Sequence, residues 1–250
     1  MVHADPISQF DIVGISGPLF RVGGAPVAFT NSALLMAIIV GLIVAFMLVA
    51  TRGSMVPGRL QSAAELFYEF TAQTVRESAG NEGMRFFPFV FTVFIFVLCS
   101  NVLGIIPGSF TVTGQIVITA ALAGFIILMV VFYGFYKHGL GWLRLFVPPD
   151  VPGWLLPMLV FVEVVSFWTR PISLSVRLFA NMLGGHMAMS IFAYFVAALL
   201  FGGVWAVISP FPLLLVVALV ALELLVAVLQ AYVFAILTAL YLNDALHPHH

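Results

Sequence analysis

Ionisable side chains and amides stand inside runs of the chain that are otherwise apolar. Glu163, Arg170, Arg177 and His186 occur in one such run with Asn181 among them, and Glu223 and Gln230 occur in the next. A charge at hydrocarbon depth costs about 2.5–3.5 kcal/mol on insertion scales, and residues retained at that cost mark ion pathways and proton relays. The types differ in what they can do. The Arg177 guanidinium stays protonated even when desolvated, so it holds a carboxylate without surrendering its own proton. His186 and Glu223 titrate, and their surroundings can bring both to working pH, which suits a proton relay. A fixed charge flanked by titratable groups is the equipment of an ion pathway.

Structural roles compete with this reading. Arg170 precedes Pro171 and has reason to pair with a carboxylate at a helix kink, and Glu163, seven residues earlier on the same helical face, is able to neutralise it. Asn181 and Gln230 suit interhelical hydrogen bonding, and Cys99 and Asn101 read as packing and glue. Arg177 has the weakest structural explanation, because no Asp or Glu occurs between Glu163 and Glu223. At about 100° per residue, Glu163, Arg170 and Arg177 fall within about 40° of one face, and His186 points about 180° from Arg177. Glu223 and Gln230 share a face of the following segment.

The elements that must position these residues belong in lipid. The 250 residues hold 9 Lys+Arg and 10 Asp+Glu, or 8% charged, where a soluble chain holds about 25%. Apolar residues make up 63%, and a surface so poor in charge does not stay soluble. The net charge of -1 lacks the basic footprint of a nucleic-acid binder. The single Cys99 excludes a disulfide framework and a Cys-based metal site. No cofactor or metal is expected.

Residues 1–30 lack an apolar core behind a basic start, so they are expected to be an outer lead-in that stays with the mature protein. The run 33–50 is near the roughly 20 residues that cross a ~30 Å core. Over 60–79, Leu60, Ala63, Ala64, Phe67, Phe70 and Val75 oppose Gln61, Glu65, Glu69, Gln73 and Arg76, a pattern that predicts a helix lying in the interface. Spans follow at 86–106, with Pro88 tolerated in the first turn and Pro107-Gly108 ending it, and at 115–136. Segment 154–201 would run about 72 Å as one helix. It is therefore either two short spans broken near Arg170-Pro171 or one long, strongly tilted helix. Segment 204–242 repeats the theme, with Ser209-Pro210-Phe211-Pro212 interrupting its start. The tail 243–250 is polar, and its three His read as solvated ends. No internal repeat is visible. Arg52, Arg59, Arg76 and Arg85 follow the first span, and Lys137 and Arg144 the third. Positive charge marks the cytoplasmic side, which places the N-terminus outside; Arg21 is the discordant charge.

The run Arg170-Pro171-Ile172-Ser173-Leu174-Ser175-Val176-Arg177-Leu178-Phe179-Ala180-Asn181-Met182 resembles the signature of subunit a of F-type ATP synthases. The resemblance extends over nearly the whole chain: a span, an interfacial helix, a hairpin of two spans and two long helices. It implies an all-α polytopic membrane protein, one membrane domain over 1–250, with the two long helices tilted against a rotor ring. It implies that Arg177 is the stator charge facing the ring of c subunits. Glu163, His186, Glu223 and Gln230 match the family's polar channel positions, and Asn181 is placed with them on the proton pathway. Arg170 is assigned to a structural ion pair. In the enteric branch a Glu stands in place of His186 and a His in place of Glu223; this chain has the exchanged pair, as in mitochondria and their alphaproteobacterial relatives. The implied function is a non-catalytic, proton-conducting stator subunit with two offset half-channels. No phosphate loop or nucleotide motif is present in the sequence. Implied partners are the c ring, b-type peripheral stalk subunits, the rest of F1Fo, the transported H+ and membrane lipid, in a bacterial inner membrane.

Rival classes fare worse. A b-type haem protein needs paired axial His within spans, and only His186 lies deep in one. Ion-coupled secondary transporters are built on repeats and broken helices. A scaffold has no use for an unneutralised Arg177.

Overall fold

A computed structural model describes residues 12–15, 20–22, 25–51, 58–106, 110–147, 152–201 and 207–246. Expectations for Arg52, Pro107-Gly108, Pro148-Pro149-Asp150, the side chain of Arg21 and the histidines after Leu246 lie outside the described residues. The described part of the lead-in contains a two-stranded antiparallel ribbon, β1 (Phe20–Val22) and β2 (Ala25–Val27), with Arg21 opposite Pro26. Everything larger is helical: α1 (Asn31–Ala50), α2 (Arg59–Gly83), α3 (Phe87–Gly104), α4 (Ile116–His138), α5 (Leu156–Leu200) and α6 (Pro210–Leu246). The chain is an all-α polytopic membrane protein. Its five candidate spans, long and apolar enough to cross a bilayer, are Asn31–Ala50, Arg59–Gly104, Ile116–Phe146, Leu156–Leu200 and Pro210–Leu246.

Local chemistry sets the helix ends. The Thr30 hydroxyl accepts from the Ala33 N–H at 3.3 Å, and Asn31 Oδ1 accepts from the Ser32 N–H at 2.9 Å, satisfying donors that a helix start leaves open. At the other end of α1 the Thr51 hydroxyl donates back to the Met47 carbonyl at 2.9 Å. Helix α2 runs further than the pattern predicts and bends at Gly80, whose φ of 64° suits glycine. Its buried residues are the small ones, Thr71, Ala72, Thr74, Val75, Ala79 and Gly83, all in its second half. Leu60 and Phe70 of the expected apolar face stay exposed.

The two open readings of segment 154–201 resolve to one helix. Helix α5 is continuous for 45 residues with Pro171 inside it. A membrane helix tolerates this, because local adjustments and neighbouring helices satisfy the freed backbone carbonyl. Helix α6 begins at Pro210 rather than at 204: a proline at the first helical position needs no N–H partner and comes with its φ already set. The expected interruption at Ser209-Pro210-Phe211-Pro212 is thus the start of the helix. Its far end passes the expected limit of 242 and reaches Leu246.

Contacts divide the chain into two compact units. One comprises Met1–Ala45, Phe96–Gln115 and Leu178–Gln230, and the other comprises Phe46–Ile95, Ile116–Arg177 and Ala231–His250. Along α6, Ala227, Ala231, Ala235 and Ala239 are each fully buried. Small residues every fourth position let backbones approach where lipid removes the hydrophobic drive for helix association.

Candidate proton-handling site

In the first unit, α5 and α6 bring His186 and Glu223 together. His186 Nε2 lies 3.6 Å from Glu223 Oε1, and both side chains are buried, 3% and 5% exposed. A third group joins them from the turn before α4: the Thr111 hydroxyl and His186 Nε2 share a hydrogen bond of 3.2 Å. The approach depends on Gly185, where an added Cβ would sit 2.7 Å from Glu223 Oε1. One turn further along α6, the Ala227 carbonyl accepts from Asn101 Nδ2 at 3.3 Å, tying α3 to the same helix. Gln230 is buried. Among the described residues, both Glu223 oxygens, Asn101 Oδ1 and Gln230 Nε2 are buried without a hydrogen-bond partner. Buried polar atoms are satisfied by protein or by ordered water in native structures, so this stretch of α6 is chemically suited to water.

The second unit contains an open cleft of about 550 Å³ lined by Arg170, Ser173, Arg177, Tyr241 and Asp244, among others. Arg170 Nη1 lies 3.3 Å from Asp244 Oδ2, and the guanidinium carbon stands 5.9 Å from the centre of the Tyr241 ring, within reach of a cation–π contact. The carboxylate that pairs with Arg170 is therefore Asp244 of α6, not Glu163. Arg177 reaches the same cleft, is exposed, and makes no ion pair among the described residues.

Of the residues singled out by sequence, the structure joins His186 to Glu223 and puts Arg170 and Arg177 on one cleft. Glu163 is half-buried on α5 and Asn181 is exposed on it. Neither is joined to the others by an ion pair or hydrogen bond among the described residues. Thr111, Tyr241 and Asp244 join these sites without having stood out in the sequence. Thr111 belongs to a Ser/Thr/Gly connection, where a hydroxyl has no distinguishing pattern. Asp244 falls in the segment expected to be a polar tail, although it lies three residues after Tyr241 and so within the same helical turn.

Known proteins share this chain's sequence over nearly its full length. The ATP synthase A chain family matches residues 33–243. ATP synthase subunit a of Methylobacterium sp. strain 4-46 is 58% identical over 250 residues, spanning 100% of this chain and 99% of the relative. The subunit a of Azorhizobium caulinodans is 58% identical over 248 residues, spanning 98% of this chain and 99% of its own length. That of Bradyrhizobium diazoefficiens is 53% identical over 251 residues, again with 98% and 99% coverage.

Proposed function

Since the chain belongs to the ATP synthase A chain family, as the subunit a component of the Fo sector in the bacterial inner membrane, we propose that it conducts protons through two offset half-channels. In this reading the whole chain acts as one membrane domain and the nucleotide chemistry lies in other subunits. A proton enters from the outer face past His186 and Glu223, with Gln230 and Asn181 lining the way, and neutralises a carboxylate on the c ring. The neutral carboxyl then faces lipid, which the charged form does only at high cost. After nearly a full rotation it meets the inner half-channel near Glu163 and releases its proton. Arg177 keeps the two paths apart: its fixed charge favours the ionised rotor carboxylate and repels a proton attempting to pass directly. Each proton supplies about 2.3 kcal/mol per 100 mV, so several are summed for each ATP. The b-type stalk subunits and the rest of F1Fo hold the chain against the torque.

The observation that carries this reading is Arg177 itself, an exposed cation in a cleft whose carboxylate, Asp244, is already paired with Arg170. A cation that pairs with no carboxylate among the described residues suits one from a partner. Arg177→Ala should abolish both proton-driven ATP synthesis and ATP-driven pumping while the complex still assembles. Arg177→Lys should fail as well, because a desolvated ammonium loses its proton where guanidinium does not. Normal ATP-driven acidification of inverted vesicles by either variant would overturn the stator role.

A further inference from the structure

Residues 111–114, just before α4, are buried, which connecting segments seldom are. Thr111 is 1% exposed, Val112 0% and Thr113 2%. Two backbone hydrogen bonds hold the stretch, Gly114 N–H donating to the Thr111 carbonyl and Gln115 N–H to the Val112 carbonyl, both at 3.2 Å. The Thr111 side chain is held by shape on one side: its methyl Cγ2 stands 3.0 Å from where a Cβ would be at Gly104. A β-branched side chain with its methyl so seated has little freedom about χ1. That fixes the direction of the hydroxyl, and the hydroxyl meets His186 Nε2 at 3.2 Å. The imidazole also hydrogen-bonds the Gly104 backbone.

One ring nitrogen thus faces two oxygens, Thr111 Oγ1 at 3.2 Å and Glu223 Oε1 at 3.6 Å. The two differ in kind. An ionised carboxylate only accepts, whereas a hydroxyl both donates and accepts. When Nε2 carries a proton, Thr111 accepts from it. When Nε2 is bare, the Thr111 O–H donates into its lone pair. We propose that Thr111 is a positioning residue for proton entry, which keeps His186 Nε2 hydrogen-bonded in both protonation states and so holds the ring where Glu223 can exchange a proton with it. In the exchange the Nε2–H bond breaks and its electron pair stays on the ring, while an O–H bond forms on Glu223; imidazolium becomes neutral imidazole and carboxylate becomes carboxylic acid. Without Thr111 the ring nitrogen keeps the longer contact with Glu223 at 3.6 Å, and losing the hydroxyl's hydrogen bond holds the ring less firmly.

The inference rests on the proton-entry reading of His186, and its test separates the two. Passive proton conductance is measured in F1-stripped membrane vesicles, with the amount of chain determined by immunoblot. Thr111→Val preserves the shape and removes the hydroxyl; it should lower conductance per chain on the order of tenfold, the effect of losing one hydrogen bond to an ionisable group. Thr111→Ser restores the hydroxyl and should return conductance to within about twofold of wild type. In a His186→Ala background, Thr111→Val should add no further loss. Wild-type conductance in Thr111→Val, beside impaired His186→Ala, overturns the role of Thr111 alone; normal conductance in His186→Ala overturns the proton-entry reading beneath it. Additive losses would show that Thr111 acts elsewhere. Should Thr111→Val fail to accumulate, the ring nitrogens of 15N-histidine-labelled protein decide: a hydrogen-bonded His186 Nε2 shared by wild type and Thr111→Ser is expected, and an unbonded Nε2 overturns the inference.

Discussion

A buried imidazole 3.6 Å from a buried carboxylate holds charge only as a pair, because either ion alone would stand in low dielectric without compensation. The two groups then share protons, and what titrates is the pair. His186→Ala and Glu223→Ala should each slow proton entry, and the double variant should be scarcely worse than the worse single one. His186→Glu combined with Glu223→His should recover more pumping than either single exchange, since a relay needs both groups but not their order. The check is a double-mutant cycle on ATP-driven acidification; additive losses with no recovery would show independent action. Gly185 sets a limit on this exchange. An added methyl there would press on Glu223 Oε1, 2.7 Å away, so Gly185→Ala should displace the carboxylate and impair entry on its own. Residue chemistry of this kind is legible in the sequence, because His186 and Glu223 are conspicuous in apolar runs. That of Thr111 is not. A hydroxyl declares itself only once the fold has buried it against a ring nitrogen.

Helix ends carry the next level of organisation. The last carbonyl of α6, that of Leu246, accepts from Lys137 Nζ at 3.3 Å, and His138 Nε2 stands 3.1 Å from the same oxygen. Both residues close α4, so the end of one helix caps the negative end of another, the Lys137 ammonium contributing about 0.3–1 kcal/mol. The Lys137–Glu82 contact at 3.4 Å is largely exposed and adds little. The cap explains why α6 continues through Asn243 and Asp244, where composition alone reads as a polar tail. It also orders Asp244, which is two residues from Leu246 and binds Arg170. Lys137→Ala with His138→Ala should therefore fray residues 241–246 and free Arg170. Faster amide exchange in that segment than in 231–239 is the expected reading, with unchanged exchange counting against the cap. Continuity of α5 through Pro171 is equally out of reach of the sequence, since a proline marks a break or a tolerated kink according to what surrounds it.

The order of crossings in the whole chain follows from which ends meet. Within the second unit, Glu82 at the end of α2, Lys137 and His138 at the end of α4 and Leu246 at the end of α6 contact one another. These ends therefore lie together, and we place them on one side of the membrane. In the proposed topology α3 and α4 leave that side and return, α5 and α6 do the same, and α1 is the unpaired crossing with the N-terminal segment opposite. Arg59, Arg76, Arg85, Lys137 and Arg144 follow the first and third spans in the sequence, and the positive-inside tendency makes those connections cytoplasmic. The proposed topology therefore has an outer N-terminus and an inner C-terminus. In a Cys99→Ser background, single cysteines from Arg59→Cys and Arg144→Cys, both at exposed positions, should react with a membrane-impermeant maleimide in inverted vesicles and be silent in intact cells with a permeabilised outer membrane. A cysteine from Ile12→Cys, exposed in the lead-in, should show the opposite pattern. Labelling of Arg59→Cys or Arg144→Cys from the periplasm would reverse the orientation, and with it the assignment of His186 and Glu223 to proton entry.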